Sequence, residues 1–220
     1  MTRVRNSILG GVAAIAIAVG GYGLVYSSGA TEGEFVEGNH YQLLDNPSRR
    51  RAGDPITVEE FFSYTCIHCK NFDPLIEKWQ LAQSDAVSFS RSPVVFAANW
   101  ATLGKTYHAM DQLGILDPNH DRLFRQIHDN RQNFGTADEV AEFIDGKGAT
   151  KQEFLKAFNS SEVRRALRES DAAQRTNSIL TVPTLIVAGK YSITLNDSVG
   201  RKTAIDVLDH LIALEQEQLP

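Results

Sequence analysis

The nine residues Ile56-Thr57-Val58-Glu59-Glu60-Phe61-Phe62-Ser63-Tyr64 are rich in β-branched and aromatic side chains and read as a buried strand. Directly after them Phe72, Leu75, Ile76 and Trp79 recur at helical spacing, which predicts a helix from about Ile67 into Leu81. The only two cysteines of the chain fall at that junction, as Cys66-Ile67-His68-Cys69. A Cys-x-x-Cys pair where a strand passes into a helix is a signature of thiol–disulfide exchange. With no third cysteine, neither thiol has another partner within the chain. The pair is therefore either the working part of the protein or an accident of composition.

The N-terminus bears on that choice. Arg3 and Arg5 precede a run without charge, Ile8 to Val25, which reads as a secretory signal or a single membrane anchor. Ser28-Gly29-Ala30 places small residues where a signal peptidase reads them, and both readings of the run stand. Either way the bulk of the chain is expected outside the cytoplasm, because the positive end stays inside. Disulfides form and persist there. Two cysteines so close together close too short a loop to gain much chain-entropy stabilisation, so the working reading is favoured over a structural staple. The net charge of −5 implies no basic face, and no nucleic-acid partner is expected. A structural zinc site usually needs four ligands, and His40, His108, His120, His128 and His210 make no metal spacing with the cysteines, so no metal is expected.

The pattern divides the chain into five parts: 1–30, the signal or anchor; 31–53, a linker; 54–98, a β-α-β unit; 99–178, a helical block; and 179–220, a β-β-α unit. The linker has room for a short edge strand near Tyr41–Leu44, and Arg49-Arg50-Arg51 reads as a solvated loop. Val87–Ser90 and Pro93–Phe96 form the second strand region. Helices are predicted over Ala101–Leu113, Asp121–Asp129, Ala137–Ile144, Lys151–Asn159 and Ser161–Asn177, with Asp117-Pro118 among the breaks. Thr136 with Glu139 and Thr150 with Glu153 have capping-box spacing. Val182–Ala188 reads as a strand, Gly189-Lys190 as a turn into Tyr191–Ile193, and Arg201–Glu217 as the last helix. Trp79, Trp100, Phe124 and Phe143 are most simply core.

This order resembles a thioredoxin fold with a helical domain inserted between its two halves. The segment Phe61-Phe62-Ser63-Tyr64-Thr65-Cys66-Ile67-His68-Cys69 resembles the active site of DsbA-type thiol:disulfide oxidoreductases. Val182-Pro183, with the strand ending in Gly189-Lys190-Tyr191, resembles that family's cis-proline segment. The resemblance covers roughly residues 35–215. It implies a cis peptide before Pro183 packed against the cysteines, with Val182 offering backbone groups to substrate. It also implies that Glu60 is a buried acid able to relay protons to Cys69, with Arg91 as a candidate partner. The redox-active Cys66–Cys69 disulfide serves in place of a cofactor. Reduced, unfolded exported proteins are the implied substrates, a quinone-coupled membrane protein reoxidises the pair, and the enzyme is a monomer of the periplasm. Ile67 stands where the family often has proline, a position that tunes the redox potential.

The chemistry beneath the resemblance follows from helix physics. A sulfur at a helix N-terminus meets unpaired N–H groups and the positive dipole end, which favour its thiolate. His68 adds to this by charge or hydrogen bonding. Stabilisation by about 3–5 pKa units is worth roughly 4–7 kcal/mol and makes the disulfide a strong oxidant. Cys66 is then the attacked sulfur and Cys69 the buried resolving one. Two other functions share these features: a reductase or isomerase on the same fold, and a tethered binding or chaperone module with incidental thiols.

Overall fold

A computed structural model of the chain describes residues 35–218, so the uncharged run 8–25 and Ser28-Gly29-Ala30 lie outside the described residues. Strand β2 (Ile56–Phe62) is central because it buries side chains on both faces: Phe61 enters one apolar cluster and Phe62 another. On one side it pairs in parallel with β3 (Val87–Pro93), Ile56 opposite Val87 and Phe62 opposite Pro93. On the other it runs antiparallel to β4 (Thr184–Val187), which pairs with β5 (Tyr191–Thr194). A two-residue strand, β1 (Gln42–Leu43), closes the order β1-β5-β4-β2-β3. The second strand region is one strand that ends at Pro93, leaving residues 94–96 outside it, and Pro93 is tolerated because β3 is an edge.

Helix α1 (Ile67–Leu81) crosses from β2 to β3, the strand-to-helix switch that the residue pattern predicts. Five helices follow: α2 (Ala101–Gln112), α3 (Leu116–His128), α4 (Ala137–Ile144), α5 (Lys151–Phe158) and α6 (Ser161–Thr176). Both capping boxes form, with Thr136 and Thr150 accepting from the backbone of Glu139 and Glu153, and each glutamate returning the bond. Helix α3 starts five residues before the predicted Asp121. Pro118 lies in its first turn, where a missing N–H leaves no bond unmade, so Asp117-Pro118 opens the helix instead of breaking it. The last helix, α7 (Arg201–Gln218), buries Ala204, Val207, Leu208, Leu211 and Ile212 at helical spacing. Phe124 and Trp79 are buried as expected, whereas Phe143 and Trp100 are only partly covered. Among the described residues no helix is long and apolar enough to cross a membrane.

The β4–β5 connection explains how the preceding chain is held. Val187 pairs with Tyr191, and within the three-residue connection Lys190 N–H closes a turn on Val187 O at 2.9 Å; its central residues Ala188 and Gly189 both have positive φ, 53° and 59°, as a type I′ turn requires. A Cβ on Gly189 would lie 2.4 Å from Ser48 Oγ, so only glycine allows the incoming segment this close. Ser48 N–H donates to Gly189 O at 2.8 Å, and Leu44 N–H to Lys190 O at 2.8 Å. Residues 42–48 are thus laid along the hairpin. Arg50 also departs from the solvated loop expected of the three arginines. Its side chain is 12% exposed and donates from Nη2 to Glu215 O at 2.6 Å. Glu215, fully buried on α7, accepts from Lys190 Nζ at 2.8 Å and from the Tyr191 hydroxyl at 3.1 Å.

Candidate active site

Cys66 is the N-cap of α1. Its backbone is extended (φ −91°, ψ 116°), and its Sγ accepts from Cys69 N–H at 3.3 Å, as a serine oxygen does at an ordinary cap. Both cysteines are thiols in this structure. Cys66 is half-buried, whereas Cys69, one turn on and facing the core, is 1% exposed. The Cys66 thiol is lowered from 9.0 to about 6. The largest cause is the hydrogen bond from the Cys69 thiol; N–H donors of Cys69 and His68 add to it against partial burial, and the His68 charge adds least. Cys69 is pushed far up, first by burial and then by its bond and proximity to Cys66. The shift on Cys66 sits at the lower end of the range expected from helix physics, because partial burial of the sulfur opposes its donors and the exposed His68 adds little.

The Val182–Pro183 peptide is cis and stands across from this cap. The Cys66 thiol points at Val182 O at 3.5 Å. Beside them a groove of about 380 Å³ is lined by His68, Asn71, Val182, Leu195, Asn196 and Arg201, among others. Ile67 is 44% exposed at the first position of α1. Its N–H is not among the main groups that lower Cys66.

Glu60 lies beneath the pair, 2% exposed. Arg91, its candidate partner, donates to it from Nε at 2.9 Å and reaches Asp73 Oδ1 from Nη2 at 3.0 Å. Burial is the largest cause of a raised Glu60 pKa, from 4.5 to about 7, with Arg91 opposing and Asp73 adding. The cluster continues beyond the residues that sequence reasoning named. His120 Nε2 lies 3.2 Å from Asp73 Oδ1, off the ideal hydrogen-bond axis, and Tyr64 Oη lies 2.6 Å from His120 Nδ1. His128 donates from Nε2 to Tyr64 O at 2.9 Å, and Lys70 pairs with Asp129, so the end of α3 grips both sides of the Cys66 turn. Asp73 left a signal in the sequence: it shares the inward stripe of α1 with Cys69, Phe72 and Ile76, where an acid is out of place. His120 and His128 left none, because they reach the site from another helix.

A dithiol at the end of a central strand, one sulfur on a helix N-cap and a cis-proline opposite, together define a thioredoxin-fold redox site. The DSBA-like thioredoxin domain family model matches residues 57–206, and the chain belongs to that family. It is 28% identical to the thiol:disulfide interchange protein DsbA of Pseudomonas aeruginosa over 97% of this chain and 98% of that one. To the protein of the same name from Azotobacter vinelandii it is 32% identical, over 80% and 83%. The crystal structure of Pseudomonas aeruginosa DsbA superposes with a TM-score of 0.80 at 28% identity, covering 86% of this chain and 98% of that one. That of DsbA from Xylella fastidiosa gives 0.76 at 29% identity, covering 83% and 98%. The chain is a thiol:disulfide oxidoreductase.

Proposed function

We propose that the protein is an oxidase acting outside the cytoplasm, donating its Cys66–Cys69 disulfide to reduced exported proteins. A substrate thiolate attacks Cys66 Sγ, a new S–S bond forms, and the Cys66–Cys69 bond breaks with its electron pair leaving on Cys69. Glu60 supplies the proton that Cys69 takes up. A second substrate thiolate then displaces Cys66, so the substrate leaves as a disulfide and the enzyme as a dithiol. The observation that carries this reading is the unequal pair: Cys66 is lowered to about 6 while Cys69 is pushed up. A thiolate stabilised at neutral pH favours the reduced enzyme and makes the disulfide oxidising.

In this reading Val182 offers backbone groups to the substrate chain beside Pro183, and His68 tunes the pair from the exposed turn. The run 8–25 directs export or tethers the enzyme, and a quinone-coupled membrane protein restores the disulfide. The enzyme works as a monomer with no cofactor beyond its own disulfide.

The test is oxidative refolding of a reduced two-cysteine substrate by purified protein. Wild type is expected to accelerate disulfide formation and Cys66→Ser to abolish the acceleration. Undiminished activity in Cys66→Ser would refute the proposal.

A further inference from the structure

We propose that His120 decides which of two buried carboxyls carries a proton, and that by holding Asp73 ionised it keeps Glu60 loaded as the acid for Cys69. This rests on the relay role given to Glu60 above and assigns its control to a residue on another helix.

The argument begins with counting charges. Two carboxyls, Glu60 and Asp73, share one guanidinium, Arg91, and all three are largely buried, with Arg91 12% exposed. Two carboxylates and one cation leave a net negative charge out of water, which is costly enough that one proton belongs in the cluster. The donors decide where it sits. With Tyr64 held protonated by burial, its O–H is assigned as the donor to His120 Nδ1 at 2.6 Å, which places the imidazole proton on Nε2. That nitrogen faces Asp73 Oδ1 at 3.2 Å. Asp73 therefore receives a hydrogen bond from Arg91 Nη2 and has the His120 Nε2–H dipole beside it at 3.2 Å, off the hydrogen-bond axis, whereas Glu60 receives Arg91 Nε alone. The better-served carboxyl ionises and the other keeps the proton. A protonated Glu60 still accepts from Arg91 Nε through Oε2. Glu60 is also the carboxyl whose charge acts on Cys69, and Asp73 is not among the main influences on that thiol.

The groups facing Glu60 are few. Arg91 comes from β3, Asp73 and Cys69 from α1, Cys66 from its cap and Tyr107 from α2; His120, from α3, meets Asp73 instead and is itself influenced by Glu77. Burial lowers His120, so it stays a neutral donor through the working range. The imidazole thus acts as a positioning residue that never touches the reacting sulfurs.

Three variants and one native measurement test this. Carboxyl carbon NMR of the reduced protein follows the Glu60 titration, with Glu60→Gln assigning the resonance. Cleavage of the oxidised protein by glutathione, normalised to thiolate concentration, reads delivery of the proton. His120→Leu is expected to lower the Glu60 midpoint by about one unit, leaving about a tenth protonated at pH 7 instead of about half, and to slow cleavage about fivefold there. Asp73→Asn is expected to lower the midpoint as well, because Arg91 then serves Glu60 alone. His120→Gln, which keeps an N–H at the Nε2 position, is expected to stay within about twofold of wild type. An unchanged midpoint in His120→Leu, or His120→Gln behaving as His120→Leu, would overturn the assignment. Should His120→Leu fail to fold, nitrogen NMR of the native protein at pH 7 to 8 decides: a neutral His120 protonated on Nε2 supports the proposal, and the Nδ1-protonated tautomer defeats it. Failure of the wild type to oxidise a reduced protein would count against the oxidase reading alone, since neither readout here depends on it.

Discussion

Reduction of the Cys66–Cys69 disulfide takes two electrons and as many protons as the product thiols bind. Below the Cys66 pKa both thiols are protonated, so two protons are taken up and the reduction potential falls by about 59 mV per pH unit. Above it only Cys69 keeps its proton, and the fall is about 30 mV per unit. With Cys66 lowered to about 6, the break should come near pH 6. An ordinary pair whose thiols both titrate near 9 would hold the steeper slope through pH 8. Between pH 6 and 8 the two cases diverge by about 60 mV, equivalent to about 2.8 kcal/mol. Cys66 is half-exposed and solvent screens part of this, so a break as late as pH 7, about 30 mV at pH 8, still fits the geometry. The assay is redox equilibration with glutathione at half-unit steps from pH 5 to 8. It is repeated in Glu60→Gln, since Cys66 raises Glu60 and a carboxyl that takes up part of a proton on reduction would blur the break. A slope that stays near 59 mV per unit to pH 8 in both proteins would refute the N-cap account of Cys66.

Three further outcomes follow from the same contacts. Glu60 has its folded pKa raised from 4.5 to about 7, so its contribution to stability is fully present below about 4.5 and is lost as pH rises through 7. The loss is of order 3 kcal/mol, and Glu60→Gln should flatten it in urea melts of the reduced protein at pH 4.5 and 8; equal pH dependence in both proteins would contradict the shift. Glu215→Ala takes the buried acceptor from Lys190 and the Tyr191 hydroxyl and the counter-ion from Arg50, whose bond to the backbone carbonyl survives, and should cost about 3 kcal/mol by chemical denaturation, a cost below 1 kcal/mol showing that the Glu215 carboxylate is incidental. Ile67→Pro should leave the Cys66 pKa within about half a unit by thiolate absorbance, because proline suits the first helical position and the donors to Cys66 come from Cys69 and His68; a shift beyond one unit would give residue 67 a direct part in the tuning.

The parts of this molecule that were legible in the chain are those written in local pattern. The β2-to-α1 junction, the two capping boxes and the hairpin turn at Gly189 each depend on residues a few positions apart. Their periodicity and turn chemistry are complete within the segment. The start of α3 was misread because Pro118 breaks a helix interior but suits a first turn, and which of these applies depends on where the helix begins. Arg50 was misread for another reason. Its burial is set by Glu215, 165 residues away, and nothing near Arg49-Arg50-Arg51 distinguishes it from its exposed neighbours. The site divides the same way. Cys66, Cys69 and Glu60 sit within ten residues of one strand end, whereas His120 and His128 enter from α3 through contacts with no sequence spacing.

The two thiols begin as the same chemical group and are separated by two influences acting on sites three residues apart. A helix N-cap supplies N–H donors that are unpaired in any helix, and these favour charge on whatever atom occupies the cap. One turn inward the same helix packs Cys69 against Phe62, Tyr64 and the helical block, where charge is opposed by burial. Neither effect needs the other, but the Cys69 thiol joins them: its proton is the largest single stabiliser of the Cys66 thiolate. Keeping that proton on Cys69 therefore lowers Cys66, and lowering Cys66 favours the reduced pair. Glu60, set between burial and the single cation Arg91, is placed to supply that proton when the disulfide opens. In the proposed oxidase the driving force thus depends on where one proton resides, which makes the buried ion cluster under β2 as much a part of the proposed chemistry as the exposed turn.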